Sequence, residues 1–475
     1  MRAAQSRQAA PLATYGWLIA LLGGTFVLGF AGVGAPLRPL FVVGCAAVSY
    51  DAWRRGASIH LQVAIALFCV TPFLRRVVDF HAGFDATGVM LAGPLLAILI
   101  PTAELRELFR PDRSVDPALR PFLVVGGCIA YGGLISLVEG DMISVASGLL
   151  KWVAPLLYGM WLFERARTDE AVLAGAVRAF LVVMPALGAY AVYQYVDPPP
   201  WDQYWMQSAP IDSIGYPVPY QVRVFSTMNS PASYATFTVC GLLLVGFCRS
   251  GWSSALLAAP CSLGLLLSLY RAAWIELVVA VLFCTLFAAT RRRAVGLAFG
   301  GVAAVLVTLT ATPFGDAILV RLSSFGDGSQ DGSLRERIQE FSTMLNAGDG
   351  TLLGHGFVFV DGGKIGLLID GQIIDCWYTM GLVVGMICLA AFLWAIGQGM
   401  SRTASRRDPA RVVLGALMAG ALAQMPLGGI AAGEAGFLFW SLAALAAAGT
   451  PLAEVRAPIR AQTQALAAQR ILQRG

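Results

Sequence analysis

The stretch ATYGWLIALLGGTFVLGFAGV, residues 13–33, carries no charged side chain and decides the fold class. A helix that crosses the hydrocarbon core of a bilayer needs about 20 predominantly apolar residues. Similar stretches recur along the 475 residues, of which 57% are hydrophobic and 13% are charged. Soluble domains carry roughly 25% charged residues, and the mean hydropathy here is +0.70. The sequence therefore predicts an all-α, polytopic integral membrane protein.

Hydropathy divides the chain into about fourteen candidate spans. Two hairpins are joined by very short turns, so we expect 12–14 transmembrane helices within a single transmembrane domain over residues 1–475. The candidate spans cover residues 13–33, 36–53, 59–74, 88–104, 119–138, 147–163, 172–195, 231–248, 252–270, 272–290, 294–312, 371–397, 411–430 and 433–450.

Arginine clusters predict which side of the membrane each loop occupies, because Lys and Arg mark cytoplasmic loops. When the spans alternate, most arginine clusters fall on one side, together with the arginines of both chain ends. The clusters are Arg54/Arg55, Arg106/Arg110/Arg113, Arg165/Arg167, Arg291/Arg292/Arg293 and Arg402/Arg406/Arg407. We therefore expect a multi-pass protein of the bacterial inner membrane with both termini in the cytoplasm.

Two segments on the opposite side are too long and too polar to be simple turns. Residues 196–230 form a first outer loop rich in Trp, Tyr and Pro, and residues 313–370 form a large outer loop. Within the second, Leu334, Ile338, Phe341 and Leu345 recur at helical spacing and predict an amphipathic helix over about 333–346. Loops of this length are usually functional or disordered. The large loop is expected to cap the outer face.

Several cationic side chains lie on the predicted outer side, against the usual charge bias. A guanidinium binds phosphate oxygens in pairs and stays charged, so the set suggests an anionic ligand. The alternative is that they form loop ion pairs with neighbours such as Asp79 and Asp85, or, for Arg271, with Glu276. His81 and His355 lie on the same side, as substrate contacts or as incidental loop histidines. The arginines are Arg75, Arg76, Arg223, Arg271, Arg321, Arg335 and Arg337.

Three short motifs, in order along the chain, resemble those of the O-antigen ligase/polymerase superfamily. VRVFSTMNSP, residues 222–231, resembles an R-x-x-G-T-F-x-N-P entry to a central span, with Ser226 in place of a usual glycine. SLYRAA, residues 268–273, is similar to an S-x-S-R-x-x span end. The large outer loop resembles an arginine helix followed by an L-G-x-G turn, then Asp370, and a G-L-x-G pattern starting eleven residues later at Gly381. Asp370 stands where the ligases have a histidine, which favours the polymerase branch.

The resemblance implies a GT-C type membrane glycosyltransferase that moves a glycan from undecaprenyl diphosphate to an acceptor hydroxyl at the outer leaflet. It implies a base role for Asp370, with Arg223, Arg271 and Arg335 stabilising the leaving diphosphate. Arg75, Arg76, Arg337, His81 and His355 are expected substrate contacts. The alternative for Asp370 is a helix N-cap, because Asp is a favoured cap before an apolar helix.

The sequence gives less direct information about cofactors, partners and alternative functions. The nine cysteines lie in or beside apolar runs without a CxxC or Cys/His cluster, so we expect neither a metal nor a cofactor. Expected partners are the lipid-linked glycan, membrane lipid and other polysaccharide-assembly proteins, and nucleic-acid patches are absent. Two alternative functions remain: an O-antigen ligase acting on a lipid or protein acceptor, and a polysaccharide flippase or transporter.

Overall fold

A computed structural model of the chain describes most of its length. The described residues are 2–108, 114–139, 142–209, 214–248, 252–311, 314–315, 318–319, 342, 352–357, 371–404 and 408–449. Within these ranges the protein is helical, and the pairing of strand-like backbone is limited to one isolated bridge between Gly215 and Val222. The predicted amphipathic helix over 333–346 lies outside the described residues except for Ser342.

The helices are numbered here in chain order. Short 3-10 segments flank α4 and precede α5, at Val89–Leu91, Ile100–Glu107 and Pro117–Leu119. The α-helices are α1 (Arg2–Phe30), α2 (Leu37–Arg55), α3 (Ala57–Ala82), α4 (Ala92–Leu99), α5 (Arg120–Glu139), α6 (Met142–Ala166), α7 (Ala171–Val196), α8 (Pro200–Ser208), α9 (Pro231–Cys248), α10 (Trp252–Leu267), α11 (Arg271–Thr285), α12 (Ala288–Ala311), α13 (Gln372–Ala404), α14 (Pro409–Gln424) and α15 (Gly433–Ala447).

The expected all-α membrane architecture is confirmed. Each of the predicted spans coincides with a helix, and the span at 88–104 is α4 with its two 3-10 flanks. In the described part of the chain, nine helical segments are long and apolar enough to cross a membrane, which makes this a multi-pass membrane protein. The nine segments are α1, α3, the α4 segment, α5, α6, α7, α9, α12 and α13.

Burial separates central helices from peripheral ones. The apolar windows of α3 and α9 are 67% and 72% buried inside the protein, whereas that of α12 is 11% buried. Around this centre, α3 packs on α1, α2 and α7, α6 packs on α15, and α11 packs on α14. Polar groups that belong to α3 and α9 are therefore enclosed by protein, where each needs a partner.

The third helix is longer than its hydropathy suggests. The predicted span ends at residue 74, but α3 continues through Arg75, Arg76 and Asp79 to Ala82. All three charged side chains are buried. Buried charges require compensating partners, and these come from other segments of the chain, described below. The first predicted outer loop likewise contains a helix, α8, which packs against α3.

The arginine distribution gives a testable orientation. Ala86 lies exposed in the loop after α3, and Thr168 lies exposed in the loop between α6 and α7 at the opposite end of the helices. We expect Ala86→Cys to react with a membrane-impermeant maleimide in intact cells, and Thr168→Cys to react only after lysis. Eight of the nine native cysteines are buried, so their background labelling should be low. The reverse labelling pattern would place the arginine-rich loops outside and refute the orientation.

Candidate functional site

A cavity of about 330 Å³ opens at the end of the helix bundle where α3 finishes and α4, α6, α9 and α15 begin. This is the end that the arginine pattern assigns to the outside. Much of its wall is apolar, from residues such as Phe68, Pro72 and Leu95. Seven polar or charged side chains interrupt that wall. They are Thr71, Lys151, Ser230, Ser233, Thr236, Gln424 and Glu434.

A carboxylate and an ammonium group share this cavity. Glu434 lies in the first turn of α15 and is half-buried, and Lys151 lies in α6. The two side chains interact electrostatically, and Ser233 lines the same cavity wall as Glu434. Ionisable residues inside the membrane part of a protein are costly and usually functional.

The N-terminus of α9 also faces the cavity. Ser230 caps the helix, because its Oγ accepts a hydrogen bond from the Ser233 N–H at 3.1 Å and its carbonyl accepts one from Tyr234 N–H. Pro231 occupies the first helical position, which suits its fixed φ and missing N–H. The positive end of the helix dipole therefore favours an anionic group in the cavity.

One buried hydroxyl at the cavity wall has no partner among the described residues. Thr71 of α3 is fully buried, and its Oγ1 makes no hydrogen bond there. Thr236, by contrast, accepts a bond from Gln424 Nε2 at 2.9 Å. Buried hydroxyls are normally satisfied. The Thr71 Oγ1 atom is itself buried, so it does not mark a ligand contact in the cavity.

A buried ion pair fixes the segment that leads into α9. Arg76 is fully buried and its Nε donates to Asp202 Oδ1 of α8 at 2.7 Å. Its two terminal nitrogens donate to the carbonyls of Ser226 and Met228, and its guanidinium lies 4.9 Å from the centroid of the Phe225 ring. The expectation that Arg76 contacts an anionic ligand does not fit this position. Arg76 instead positions the 225–228 segment.

The other carboxylate oxygen of Asp202 is also bonded. It accepts from Tyr190 at 2.9 Å and from Gln194. The Gln194 side-chain oxygen accepts from the N–H groups of Phe225 and Ser226 at 3.0 and 2.8 Å. The segment that carries Arg223 and ends at Ser230 is thus held by α3, α7 and α8 together. Networks of this kind are rigid when every member is satisfied.

Arg75 takes part in a second network at the end of α3. Its Nε donates to Asp79 at 3.2 Å, and Arg38 of α2 donates to the other Asp79 oxygen at 2.7 Å. Arg75 also donates to the Asp85 carbonyl. Burial by itself raises the pKa of Asp85, but hydrogen bonds from Thr87 and from the Val89 N–H outweigh it and lower that pKa. The expected loop ion pairs thus account for Arg75, which anchors the loop into α4.

Arg223 and the start of α11 lie together. The Arg223 guanidinium donates to the Leu269 carbonyl at 3.4 Å, and Leu269 adopts a left-handed φ of 53°. Arg271, two residues later, is the first residue of α11. The segments that carry two of the predicted catalytic arginines are therefore in contact. Left-handed φ is uncommon for a residue with a side chain and tends to occur at functional sites.

The alternative of an Arg271–Glu276 pair is not seen. Glu276 is buried at the α11–α14 interface next to Gly420, and its Oε2 has no hydrogen-bond partner among the described residues. Side chains five positions apart on a helix do not share a face.

Residues 352–357 of the large outer loop dock on the membrane helices through glycines. Gly354 has a φ of 84° and Gly381 a φ of 75°, and their backbones touch so closely that a Cβ on either residue would collide with the other segment. The N–H groups of His355 and Gly356 donate to the carbonyls of Tyr378 and Thr379 at 2.8 and 2.9 Å. The two predicted glycine motifs therefore pack on each other through their backbones, and α13 is kinked at Gly381.

The predicted histidines are not brought to the cavity wall. The His355 ring stacks on Tyr378, with centroids 4.7 Å apart, and His81 is exposed with its ring against Phe30 and Phe80. Neither residue lines the cavity.

Three further predicted site residues lie outside the described residues: Asp370, Arg335 and Arg337. The carbonyl of Gly371 accepts the first backbone bond of α13, from Asp375. The residue immediately before that helix is therefore Gly371, which places the capping position one residue beyond Asp370.

Comparison with models of protein families and with curated proteins finds no match to this chain. The site must therefore be interpreted from its own chemistry. A capped helix N-terminus and an ammonium group favour a bound anion, and a carboxylate beside hydroxyls can take up a proton or orient a sugar hydroxyl.

Proposed function

We propose that the protein is a membrane glycosyltransferase that polymerises a glycan carried on undecaprenyl diphosphate, at the outer leaflet of the bacterial inner membrane. The observation that carries the proposal is the cavity where Lys151, Glu434 and the N-terminus of α9 meet in a partly apolar wall. A ligase acting on a different acceptor uses the same chemistry and is the closest variant of this proposal.

The charges in the site suit a diphosphate leaving group. As the glycosidic bond to the lipid diphosphate breaks, negative charge develops on the departing oxygen. Fixed cations and helix dipoles aimed at developing charge are usually the largest catalytic contribution, because they need no reorganisation during the reaction. Lys151 and the α9 N-terminus supply such groups in the cavity wall. Arg223 and Arg271 do not line that wall and lie in two segments that contact each other.

Two backbone features support the superfamily resemblance as a basis for this proposal. Ser226 occupies the position of a usual glycine, and its φ of 53° lies in the left-handed region that favours glycine. Gly354 and Gly381, which belong to the two glycine motifs of the large loop, pack directly on each other. In both places the family pattern has glycine where the backbone conformation or a close backbone contact favours glycine. This is a physical reason for the pattern.

A transporter of lipid-linked glycan is the second candidate, and one observation favours it. Glu276 is an almost fully buried carboxylate whose Oε2 has no hydrogen-bond partner among the described residues. Buried carboxylates inside membrane helices often take part in proton-coupled transport. The transporter moves its substrate unchanged, whereas the transferase makes a new glycosidic bond.

The role of the paired arginines can be tested by conservative substitution. Arg223→Lys and Arg271→Lys are each expected to lower polymer formation about 10- to 100-fold, because losing one hydrogen bond to a charged group costs about 1.5–3 kcal/mol. Lysine keeps the charge but lacks the planar fork that binds two phosphate oxygens. Lipid-linked oligosaccharide should accumulate while protein levels stay normal.

Arg54→Lys is the matched control, since Arg54 is exposed at the opposite end of the bundle. It should leave polymer formation unchanged. Wild-type polymer from both the Arg223 and the Arg271 variants would exclude these arginines from diphosphate binding.

A further inference from the structure

We propose that Glu434 is the group that accepts the proton of the acceptor hydroxyl, and that the cavity around it binds a single terminal sugar of the acceptor. This inference rests on the proposed glycosyltransferase function and names the acceptor subsite within it. The sequence offered Asp370 for the proton-accepting role, whereas the geometry points to a carboxylate at the start of α15.

The position of Glu434 suits a general base. Its carboxylate faces a cavity instead of being closed into an ion-pair network like those of Asp79 and Asp202. Lys151 offsets its charge from the same cavity, and the Ser233 hydroxyl lines the wall beside it. A base must lie within hydrogen-bond reach of the proton that it removes. A sugar hydroxyl that enters this cavity meets that condition.

The size and lining of the cavity indicate the class of ligand. Its volume of about 330 Å³ lies at the lower end of the range of about 300–1,000 Å³ typical of small-molecule sites. It therefore accommodates one sugar unit and not a long oligosaccharide. Ser230, Ser233 and Gln424 offer side-chain donors and acceptors in the cavity wall. Such groups match the hydroxyls of a sugar better than they match an acyl chain.

The reaction step is balanced without another reactant. The acceptor O–H bond breaks and its proton passes to the Glu434 carboxylate. The oxygen electron pair forms a bond to the anomeric carbon of the donor glycan. The bond from that carbon to the diphosphate oxygen breaks, and its electron pair leaves with the diphosphate, near the positive charge of Lys151.

The test uses the full-length protein reconstituted in liposomes. The donor is undecaprenyl-diphosphate oligosaccharide extracted from a strain that lacks this protein. We expect Glu434→Gln to reduce the rate of glycan transfer at least 100-fold, within the range of about 10²–10⁴ for general base catalysis. Donor binding should stay within about twofold of wild type. Glu434→Asp should keep partial activity, with an altered acidic limb in its pH–rate profile. Glu170→Gln makes the same change at an exposed position at the opposite end of the bundle and should have no effect.

The outcomes distinguish a failure of the proposed glycosyltransferase function from a failure of the base role of Glu434. If the wild type forms no glycan longer than that of the donor, the proposed function itself fails. If the wild type transfers glycan and Glu434→Gln keeps at least a third of its rate, Glu434 is not the base, and Asp370→Asn becomes the variant to compare. Loss of donor binding in Glu434→Gln would also overturn the base role. If Glu434→Gln does not fold, a Glu434→Asp pH–rate profile identical to that of wild type would overturn it instead.

Discussion

Asp202→Ala is expected to destabilise the protein by about 3–5 kcal/mol, the usual cost of removing one partner of a buried ion pair. Asp202 and Arg76 are both fully buried and bonded at 2.7 Å. The substitution leaves the Arg76 guanidinium charged with only carbonyl acceptors, and it also removes the acceptor for Tyr190 and Gln194. The measurement is the free energy of unfolding in detergent micelles.

The matched control lies five residues earlier in the chain. Asp197 is exposed at the end of α7, so Asp197→Ala should change the free energy of unfolding by no more than about 0.5 kcal/mol. Equal effects of the two substitutions would mean that the Arg76–Asp202 pair does not hold α8 and the 225–228 segment in place.

Lys151→Met is expected to reduce the rate of glycan transfer about 10²–10³-fold, the range seen when one donor to developing negative charge is removed. Lys151 is the one lysine in the cavity wall. Lys151→Arg keeps the positive charge and should retain more activity than the methionine variant. Protein level and melting temperature should stay close to wild type, because methionine fits a largely apolar wall.

Arg178→Met removes a positive charge from an exposed position near the start of α7 and serves as the control. It should leave the rate of transfer unchanged. Near-wild-type transfer by Lys151→Met would show that the ammonium group does not stabilise the leaving diphosphate, and the arginines would then have to provide that stabilisation.

Hydropathy was sufficient to predict the long apolar helices of this protein, though not the short helix α8, because a membrane helix depends on local composition. Each span predicted from its own apolar run coincides with a helix, although no information about the segments packed against it was used. The end of α3 shows where local information fails. Arg75, Arg76 and Asp79 suggest an exposed loop, yet the helix continues because Arg38, Asp202 and two distant carbonyls compensate the charges. Those partners lie in other segments and are not evident from the local sequence.

The candidate site was only partly predictable for the same reason. Arg223 and Arg271 were singled out by their position on the outer side, and the structure places their segments together. Glu434 was missed because it looks like an ordinary acidic residue before an apolar helix, where Asp and Glu favour the helix dipole. Its proposed role depends on the cavity wall that it shares with Lys151, which comes from another helix. An ionisable residue within a predicted span, such as Lys151, was the signal that could have led to it.

The glycine motifs were recognised by their spacing, but their meaning needed three-dimensional information. Gly354 and Gly381 are far from standard helical conformation and touch through their backbones. The spacing between Asp370 and Gly381 predicted neither that contact nor the kink in α13. His81 and His355, chosen because histidine can act as a base, instead pack against aromatic rings.

The most direct test of the central claim is a reconstitution experiment with the purified protein in liposomes. Lipid-linked oligosaccharide is incorporated in the membrane, and the products are separated by size. A glycosyltransferase should convert the donor into longer glycans and release undecaprenyl diphosphate in equal amount to the bonds formed. Donor that reaches the other leaflet with its glycan length unchanged and without released lipid diphosphate would contradict the claim and identify a transporter.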